Sequence, residues 1–251
     1  MVLFKKTKQL FYLCFIILIL ECCKYKTAII KSENYSISKV TPDSILYIFT
    51  DSFRQILNSK MNTIEGYLDS SLEKEKPESK LGNFAANACL WQFFNSTYQD
   101  SNCFVMLNNG SLRTTIPQGE IKTRHLYEVM PFENKLVALL LKGKTINQLF
   151  NYITAKGGNP VANLKLEISK KGQWKNAIIN SNMYDSTKNY FLITSDYLAN
   201  GGDECYFLKD AIKRIELSVK VRDALISYIN AKSSKTLPLD INLEKRISIY
   251  E

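Results

Sequence analysis

The stretch of chain from Phe104 to Phe132 constrains the fold and the function more than any other part of the sequence. It continues a short apolar run, residues 103–107, of the length expected for a buried strand. That run ends in Asn108-Asn109-Gly110-Ser111, where Asn and Gly tolerate a sharp turn that exposes backbone N–H groups. Arg113 then supplies a planar donor fork, and Phe132 stands before the next apolar run. These residues predict either a pocket for a flat polar ligand or an ordinary strand, turn, surface Arg and core Phe, and alone they favour the ordinary interpretation.

Apolar residues elsewhere follow two spacings, which predict both helices and strands. Recurrence every three or four positions predicts amphipathic helices, and Thr41-Pro42 and Ser79 are suited to start the first two of them. These helices are predicted at residues 42–57, 80–98, 123–129, 144–156 and 217–231. In the third helix, Leu126, Tyr127 and Val129 are expected to point inward.

Short apolar or alternating runs predict the extended segments. They lie at residues 61–68, 103–107, 135–142, 161–169, 174–179, 190–194 and 241–249, with 161–169 and 174–179 forming a hairpin. Helices and strands mix without strict strand–helix–strand alternation, so the sequence predicts the α+β class.

The length and charge of the chain narrow the classes of partner. The chain has 251 residues, 45% of them hydrophobic, which is enough for a real core. Its net charge of +9 comes from 33 Lys and Arg against 24 Asp and Glu. The basic residues are scattered, and no nucleic-acid-binding motif is visible, so we expect no nucleic-acid partner.

The N-terminus is typical of a targeting segment, predicted over residues 1–23. Lysines precede an apolar run, residues 10–20, of signal-peptide length. Cys23 follows it as in the lipobox of bacterial lipoproteins, which predicts lipidation of Cys23; an ordinary cleaved signal or an uncleaved anchor is the alternative. We expect an exported protein in the periplasm or cell envelope, attached to the membrane by a lipid anchor, with a linker at 24–41 and one domain at 42–251.

The residues needed for autonomous catalysis are scarce. The single histidine, His125, lies in a predicted short helix, which favours a structural role. No metal-ligand spacing and no nucleophile signature is visible, so we predict no catalytic and no metal-binding residue. In the predicted domain, Cys89, Cys103 and Cys205 allow at most one disulfide, and buried free thiols are the default expectation.

Three ordered motifs resemble one family. ESKLGNFAANACL (78–90) is similar to a family helix E-S-x-L-G-N, and residues 107–150 are similar to a segment N-G-G-x-R … P-F-x-N … L-x-G. SDYLANGGDECYF (195–207) is similar to a loop N-D-F/Y-L-A-x-G-G-D-G. Together they resemble the C-terminal, substrate-recognition domain of the 5′-nucleotidase/UDP-sugar hydrolase family. The resemblance implies a single α+β domain of layered helices and mixed β-sheets (α/β/β/α).

The resemblance also implies a nucleotide-binding or nucleoside-binding site. Two aromatic rings would clamp the base by stacking, because every base has a π-face. Asp203 would accept from the ribose hydroxyls, and amide, cationic and glycine residues would complete the site. The implied substrate-binding residues are Phe132, Tyr197, Asn108, Arg113, Lys80, Asp203, Gly201 and Gly202.

Family enzymes also carry an N-terminal metallophosphatase domain, for which no counterpart is visible in this sequence. The resemblance therefore implies a recognition domain in nucleotide catabolism or salvage, whose catalysis needs a separate metallophosphatase chain. Divalent metals are expected only in that partner, and no cofactor is expected in this chain. The alternative is a stand-alone exported nucleoside-binding or nucleotide-binding lipoprotein with no hydrolase role. A degenerate domain kept for interaction or structure is a third interpretation.

Overall fold

A computed structural model of the chain describes residues 33, 44–96, 98, 100 and 102–250. The predicted targeting segment at 1–23, Cys23, the helix start at Thr41-Pro42, and the linker apart from Glu33 lie outside the described residues. The chain divides into two units, Met1–Thr50 and Asp51–Glu251. Within the described ranges, no helix is long and apolar enough to cross a membrane.

The helices begin and end close to the predicted positions, with exceptions noted below. Ser79 caps the second helix as predicted: its Oγ accepts a hydrogen bond of 2.9 Å from the N–H of Gly82. That helix ends at Phe94, one turn before the predicted end. The described α-helices are α1 (Ser44–Met61), α2 (Lys80–Phe94), α3 (Thr123–Val129), α4 (Gly143–Ala155), α5 (Asp196–Ala199) and α6 (Val221–Lys232).

The strands form three sheets. The first pairs β1 (Ile64–Leu68) with β3 (Gly119–Lys122). The central sheet has the order β10-β4-β9-β2-β5, where the strands are β2 (Cys103–Met106), β4 (Lys135–Lys142), β5 (Val161–Ala162), β9 (Asn189–Ser195) and β10 (Lys213–Lys220). The third sheet has the order β11-β6-β7-β8, where the strands are β6 (Leu164–Ser169), β7 (Trp174–Ile179), β8 (Asn182–Met183) and β11 (Ile247–Tyr250). The predicted hairpin is confirmed, since β6 and β7 pair antiparallel.

The central sheet is covered on both faces, because successive residues of its strands point to opposite sides. Val105 and Ala138 pack with helices α2 and α6 in one hydrophobic core. Phe104 and Leu139 pack with α4 and the four-stranded sheet in a second core. The α+β class, with layered helices and mixed sheets, is therefore confirmed.

The last predicted strand, 241–249, is observed only at its end, as β11 (Ile247–Tyr250). Two further predicted elements are wrong in their boundaries. Residues 217–220 are not the first turn of a helix but the end of strand β10, and α6 begins only at Val221. The predicted strand 161–169 is divided at Asn163, whose φ of 58° turns the chain from the central sheet into the four-stranded one. These two errors have one cause: β10 and β5 are the edge strands of the central sheet, and each shares the apolar spacing of the element that follows it.

Candidate functional site

Three loops meet at one edge of the central sheet. Strands β2 and β9 are parallel neighbours, so their carboxyl ends lie at the same edge. Strand β4 is antiparallel to β9, with Leu136 opposite Ser195, so β4 begins where β9 ends. The sheet order therefore brings together the turn after β2, the loop before β4 and the segment after β9.

These loops enclose a cavity of about 260 Å³. It is lined by Asn108, Gly110, Ser111, Arg113, Phe132, Asn134, Tyr197 and Asp203. Five of the predicted site residues are therefore brought together from three separate parts of the sequence. The sequence analysis did not predict three of the lining residues: Gly110, Ser111 and Asn134. All three lie inside the N-G-G-x-R and P-F-x-N segments, so their place in these motifs could have indicated them.

Two aromatic rings reach this cavity, Phe132 from the loop before β4 and Tyr197 from the short helix α5 after β9. Phe132 is 39% exposed and Tyr197 is 43% exposed, although both are large apolar side chains. The guanidinium carbon of Arg113 lies 5.8 Å from the centroid of the Phe132 ring, within the range of a cation–π contact. Exposed rings beside polar groups suit a ligand with flat faces and polar edges.

Tyr197 is held by contacts with the segment that follows it. Its hydroxyl donates to Asp203 Oδ1 at 2.7 Å and accepts from the Asp203 N–H at 3.2 Å. The hydrogen bond to the Asp203 carboxylate is the main cause that raises the pKa of Tyr197. The ring also lies against Gly202, where a Cβ would come within 2.5 Å of Tyr197 Cζ. Gly202 is therefore required by the position of this ring.

Asp203 connects the ring to the turn after β2. Its Oδ2 accepts a hydrogen bond of 2.6 Å from Asn108 Nδ2. Asp203 has a φ of 49°, which is uncommon for a residue with a side chain and sets the carboxylate toward the turn. Asn108 is buried, and its backbone carbonyl accepts from Ser111 Oγ at 2.7 Å. The carboxylate, amide and ring thus form one ordered network.

The predicted residues Lys80 and Gly201 do not line the cavity. Lys80 lies in a separate depression, where its Nζ donates to Ser70 Oγ at 2.9 Å. Gly201 has a φ of 92°, and a Cβ there would lie 2.9 Å from Lys209 Cε. Glycine at this position therefore permits the local backbone conformation and the close contact with Lys209. Gly202 likewise supports the Tyr197 ring without lining the cavity.

The motif that contains Lys80 has a structural task. The Glu78 carboxylate accepts from Asn83 Nδ2 at 2.6 Å and from the backbone N–H groups of Glu244 and Arg246, both at 2.8 Å. These bonds fix the start of α2 to the segment before the last strand. The motif therefore stabilises the fold, and its lysine, Lys80, lies outside the cavity that holds Phe132 and Tyr197.

A larger cavity, of about 550 Å³, lies between α2 and the four-stranded sheet. Its arginine, Arg246, donates to the carbonyl of Val161 at 2.7 Å and to Asn87 Oδ1 at 2.8 Å. No aromatic side chain lines it. The smaller cavity has the exposed rings and convergent polar groups of a ligand site, so we take it as the candidate.

The remaining reactive side chains have structural positions. His125 Nδ1 accepts from the Lys122 N–H at 3.2 Å and thereby caps helix α3, while burial lowers the pKa of His125. Cys89, Cys103 and Cys205 are buried free thiols, as predicted. In the part of the chain that the structure describes, no group of three or more His, Cys, Asp or Glu side chains is placed to hold a metal ion.

Comparisons with known proteins find similar chains in several organisms. An apyrase of Tabanus yao is 27% identical over 198 residues, which cover 69% of this chain and 35% of the apyrase. A 5′-nucleotidase-related protein of Glossina morsitans morsitans is 22% identical over 244 residues, which cover 86% of this chain and 43% of that protein. The chain thus spans less than half the length of these curated relatives.

The crystal structure of a 5′-nucleotidase precursor from Thermus thermophilus has the same fold, with a TM-score of 0.69 at 24% identity, over 84% of this chain and 44% of that chain. A family model for the C-terminal domain of 5′-nucleotidase matches residues 59–210, which include the turn after β2, the loop of Phe132 and the Tyr197–Asp203 segment. This chain belongs to the 5′-nucleotidase C-terminal domain family.

Proposed function

We propose that this domain binds a nucleotide or nucleoside, with the base clamped between Phe132 and Tyr197. The observation that carries the proposal is the pair of exposed rings, from two separate segments of the chain, that line one cavity. Stacking on an aromatic side chain contributes about 1–3 kcal/mol per base and tolerates any base. A cavity of about 260 Å³ is slightly smaller than most ligand pockets, which suits a base with its sugar.

In this proposal, the polar side chains bind different parts of the ligand. Asp203 accepts from the ribose hydroxyls, because a carboxylate has about four lone-pair sites and only its bonds to Tyr197 and Asn108 occupy them here. Asn108 donates to the base edge or holds Asp203 in place. Arg113, beside the Phe132 ring, contacts the sugar or phosphate end of the ligand.

We further propose that hydrolysis takes place with a separately encoded metallophosphatase. The side chains that line the cavity are rings, amides, an arginine and a carboxylate, and Ser111 Oγ already donates to the Asn108 carbonyl. Such a set binds and orients a substrate, but it offers no activated nucleophile. Divalent metals belong to the partner in this proposal, and export with lipidation at Cys23 would place both proteins at one membrane surface for nucleotide catabolism.

Calorimetric titration of the purified protein with AMP, adenosine and UDP-glucose tests the binding proposal. The Phe132→Ala variant should bind roughly 5- to 150-fold more weakly, because one stacking surface is lost. Tyr98→Ala is the matched control, since Tyr98 is an exposed aromatic residue that does not line the cavity. If the wild type binds none of the three ligands, the clamp proposal is wrong.

The partner is tested by affinity purification of the tagged protein followed by a phosphatase assay with AMP. Recovery of a metal-dependent phosphatase whose rate falls with Phe132→Ala supports the split system. Tight binding by the isolated chain, with no effect on the rate of any co-purified phosphatase, would instead support a stand-alone binding lipoprotein.

A further inference from the structure

The second residue of helix α6, Arg222, is an arginine in the protein interior. It is only 2% exposed. Burying a guanidinium costs free energy unless its N–H groups find acceptors, so the acceptors of Arg222 indicate its structural role. Among the described residues, its oxygen acceptors lie in one short segment, residues 130–133, which carries Phe132.

The contacts follow the backbone of that segment. Nη1 donates to the carbonyl of Met130 at 3.2 Å and lies 3.5 Å from the carbonyl of Phe132. Nη2 forms an ion pair with the Glu133 carboxylate. The guanidinium carbon also lies 3.9 Å from the centroid of the Tyr127 ring. Tyr127 is 38% exposed, so the prediction that it points inward is wrong. The arginine thus contacts both the start and the end of the loop.

The residues beside Arg222 bind the same loop. The Val221 N–H donates to the Asn134 carbonyl at 2.9 Å, and Lys220 pairs with Glu133. Hydrogen bonds from Lys220 and Arg222 lower the pKa of Glu133 to about 2. Three consecutive residues at the junction of β10 and α6 therefore hold the backbone on both sides of Phe132.

We infer that Arg222 is a positioning residue for the ligand clamp: it fixes the backbone of residues 130–133 so that the Phe132 ring stays in the cavity. The inference rests on the proposed function for its link to ligand binding. Its structural part, the fixing of the loop, can be measured without any ligand. Arg222 is not itself one of the residues that line the cavity, so its effect on binding must pass through the segment that it holds and that carries Phe132.

A double-mutant cycle separates this role from a general effect on folding. Adenosine affinity is measured by calorimetry for the wild type, Arg222→Met, Phe132→Ala and the double variant. Arg222→Met should weaken binding about tenfold, less than deletion of the ring itself. In the Phe132→Ala background it should cause less than about a twofold further loss, since no positioned ring remains.

Arg246→Met is the matched control. Arg246 is also nearly buried, also donates to a backbone carbonyl, and also pairs with a carboxylate, that of Glu244, but it lies at the other cavity. It should lower the melting temperature while adenosine affinity stays within about twofold. Arg222→Lys should recover part of the affinity, because a lysine can keep the pair with Glu133 but lacks the planar fork.

Amide hydrogen exchange of the peptide that contains residues 130–134 gives the readout without ligand. We expect faster exchange in Arg222→Met and unchanged exchange in Arg246→Met. If Arg222→Met fails to fold, Glu133→Gln replaces it, because that side chain is largely exposed and loses the same ion pair.

The outcomes separate the two proposals. Additive losses in the cycle, equal losses of affinity in the two arginine variants, or unchanged exchange at residues 130–134 would overturn the inference about Arg222. A wild type that binds no adenosine refutes the clamp alone, and the exchange comparison then decides whether Arg222 fixes the loop.

Discussion

Replacing Gly202 with alanine tests how Tyr197 is held in the cavity. The new Cβ would lie 2.5 Å from Tyr197 Cζ and 2.6 Å from Cε1 and Cε2, whereas ordinary contact begins at 3.4 Å. The ring must therefore move by about 0.9 Å. Gly202 is not among the residues with positive φ, so alanine can adopt its backbone conformation without strain. The substitution should therefore displace the Tyr197 ring without changing the fold of the domain.

We expect two consequences of the displacement, each of about 1–2 kcal/mol. The Tyr197 hydroxyl lies 2.7 Å from Asp203 Oδ1, and a shift of about 0.9 Å away from it stretches the bond beyond hydrogen-bonding range. That loss should cost about 1 kcal/mol of stability. A displaced ring also loses much of the roughly 1–3 kcal/mol of base stacking, so we expect adenosine to bind about 30-fold more weakly, a change of about 2 kcal/mol.

Calorimetry with adenosine on four proteins checks this reasoning: the wild type, Gly202→Ala, Tyr197→Ala and the double variant. With the ring removed, the alanine at position 202 has room and should have no further effect on affinity. Wild-type affinity in Gly202→Ala would refute the argument. So would an equal loss of affinity from this substitution in the presence and absence of the Tyr197 ring.

Three further predictions concern other contacts. Tyr197→Phe keeps the stacking face and loses only the hydroxyl, so adenosine affinity should stay within about threefold of wild type by calorimetry, in contrast to Tyr197→Ala. The ion pairs of Glu133 lower its pKa from 4.5 to about 2, so their stabilisation is complete above the ordinary value and is lost as the pH falls through about 2. Urea denaturation should accordingly show a constant stability difference between wild type and Glu133→Gln from about pH 7 to 5, which shrinks toward pH 2; a difference that persists there would contradict the assignment. Ser79→Ala removes the cap of α2 and should lower stability by about 1 kcal/mol in the same denaturation assay, with adenosine affinity unchanged because the cap lies away from the cavity.

Much of the fold could be predicted from local patterns. Strand β4 has the predicted bounds, because its apolar run is continuous and Gly143 starts a new helix at once. Strand β10 was predicted only in part and as a helix, although Ile215, Leu217 and Val219 alternate. It is the edge strand beside β4 in the described sheet, and Ser218, with a φ of 54°, interrupts its register. A bulged edge strand has a weak pattern, which the helical spacing of the next element obscured.

The candidate site was predictable where motif and geometry coincide. Phe132, Tyr197 and Asp203 lie in segments whose motif order could be read from the sequence, and the sheet order brings them to one cavity. The motif predicted that Lys80 lies at the site. In the fold, however, Lys80 bonds to Ser70, and Glu78 of the same motif binds the backbone of Glu244 near the C-terminus. Arg222 left no signal in the sequence, because its role depends on a loop that lies about ninety positions earlier. Contacts between distant elements cannot be read from local spacing.

Burial of Cys89, Cys103 and Cys205 determines how fast these thiols react with alkylating reagents and oxidants in the folded protein. Burial raises the pKa of Cys89 and Cys103 to about 12 and that of Cys205 to about 11. Only the thiolate attacks alkylating reagents or oxidants, so these positions stay unmodified while the domain is closed. Each cysteine becomes reactive only when its part of the core opens. Cys89 and Cys103 report on the core beneath α2, and Cys205 reports on the core beneath the Tyr197 loop. Pulsed alkylation followed by mass spectrometry would therefore distinguish opening of the ligand loop from unfolding of the whole domain.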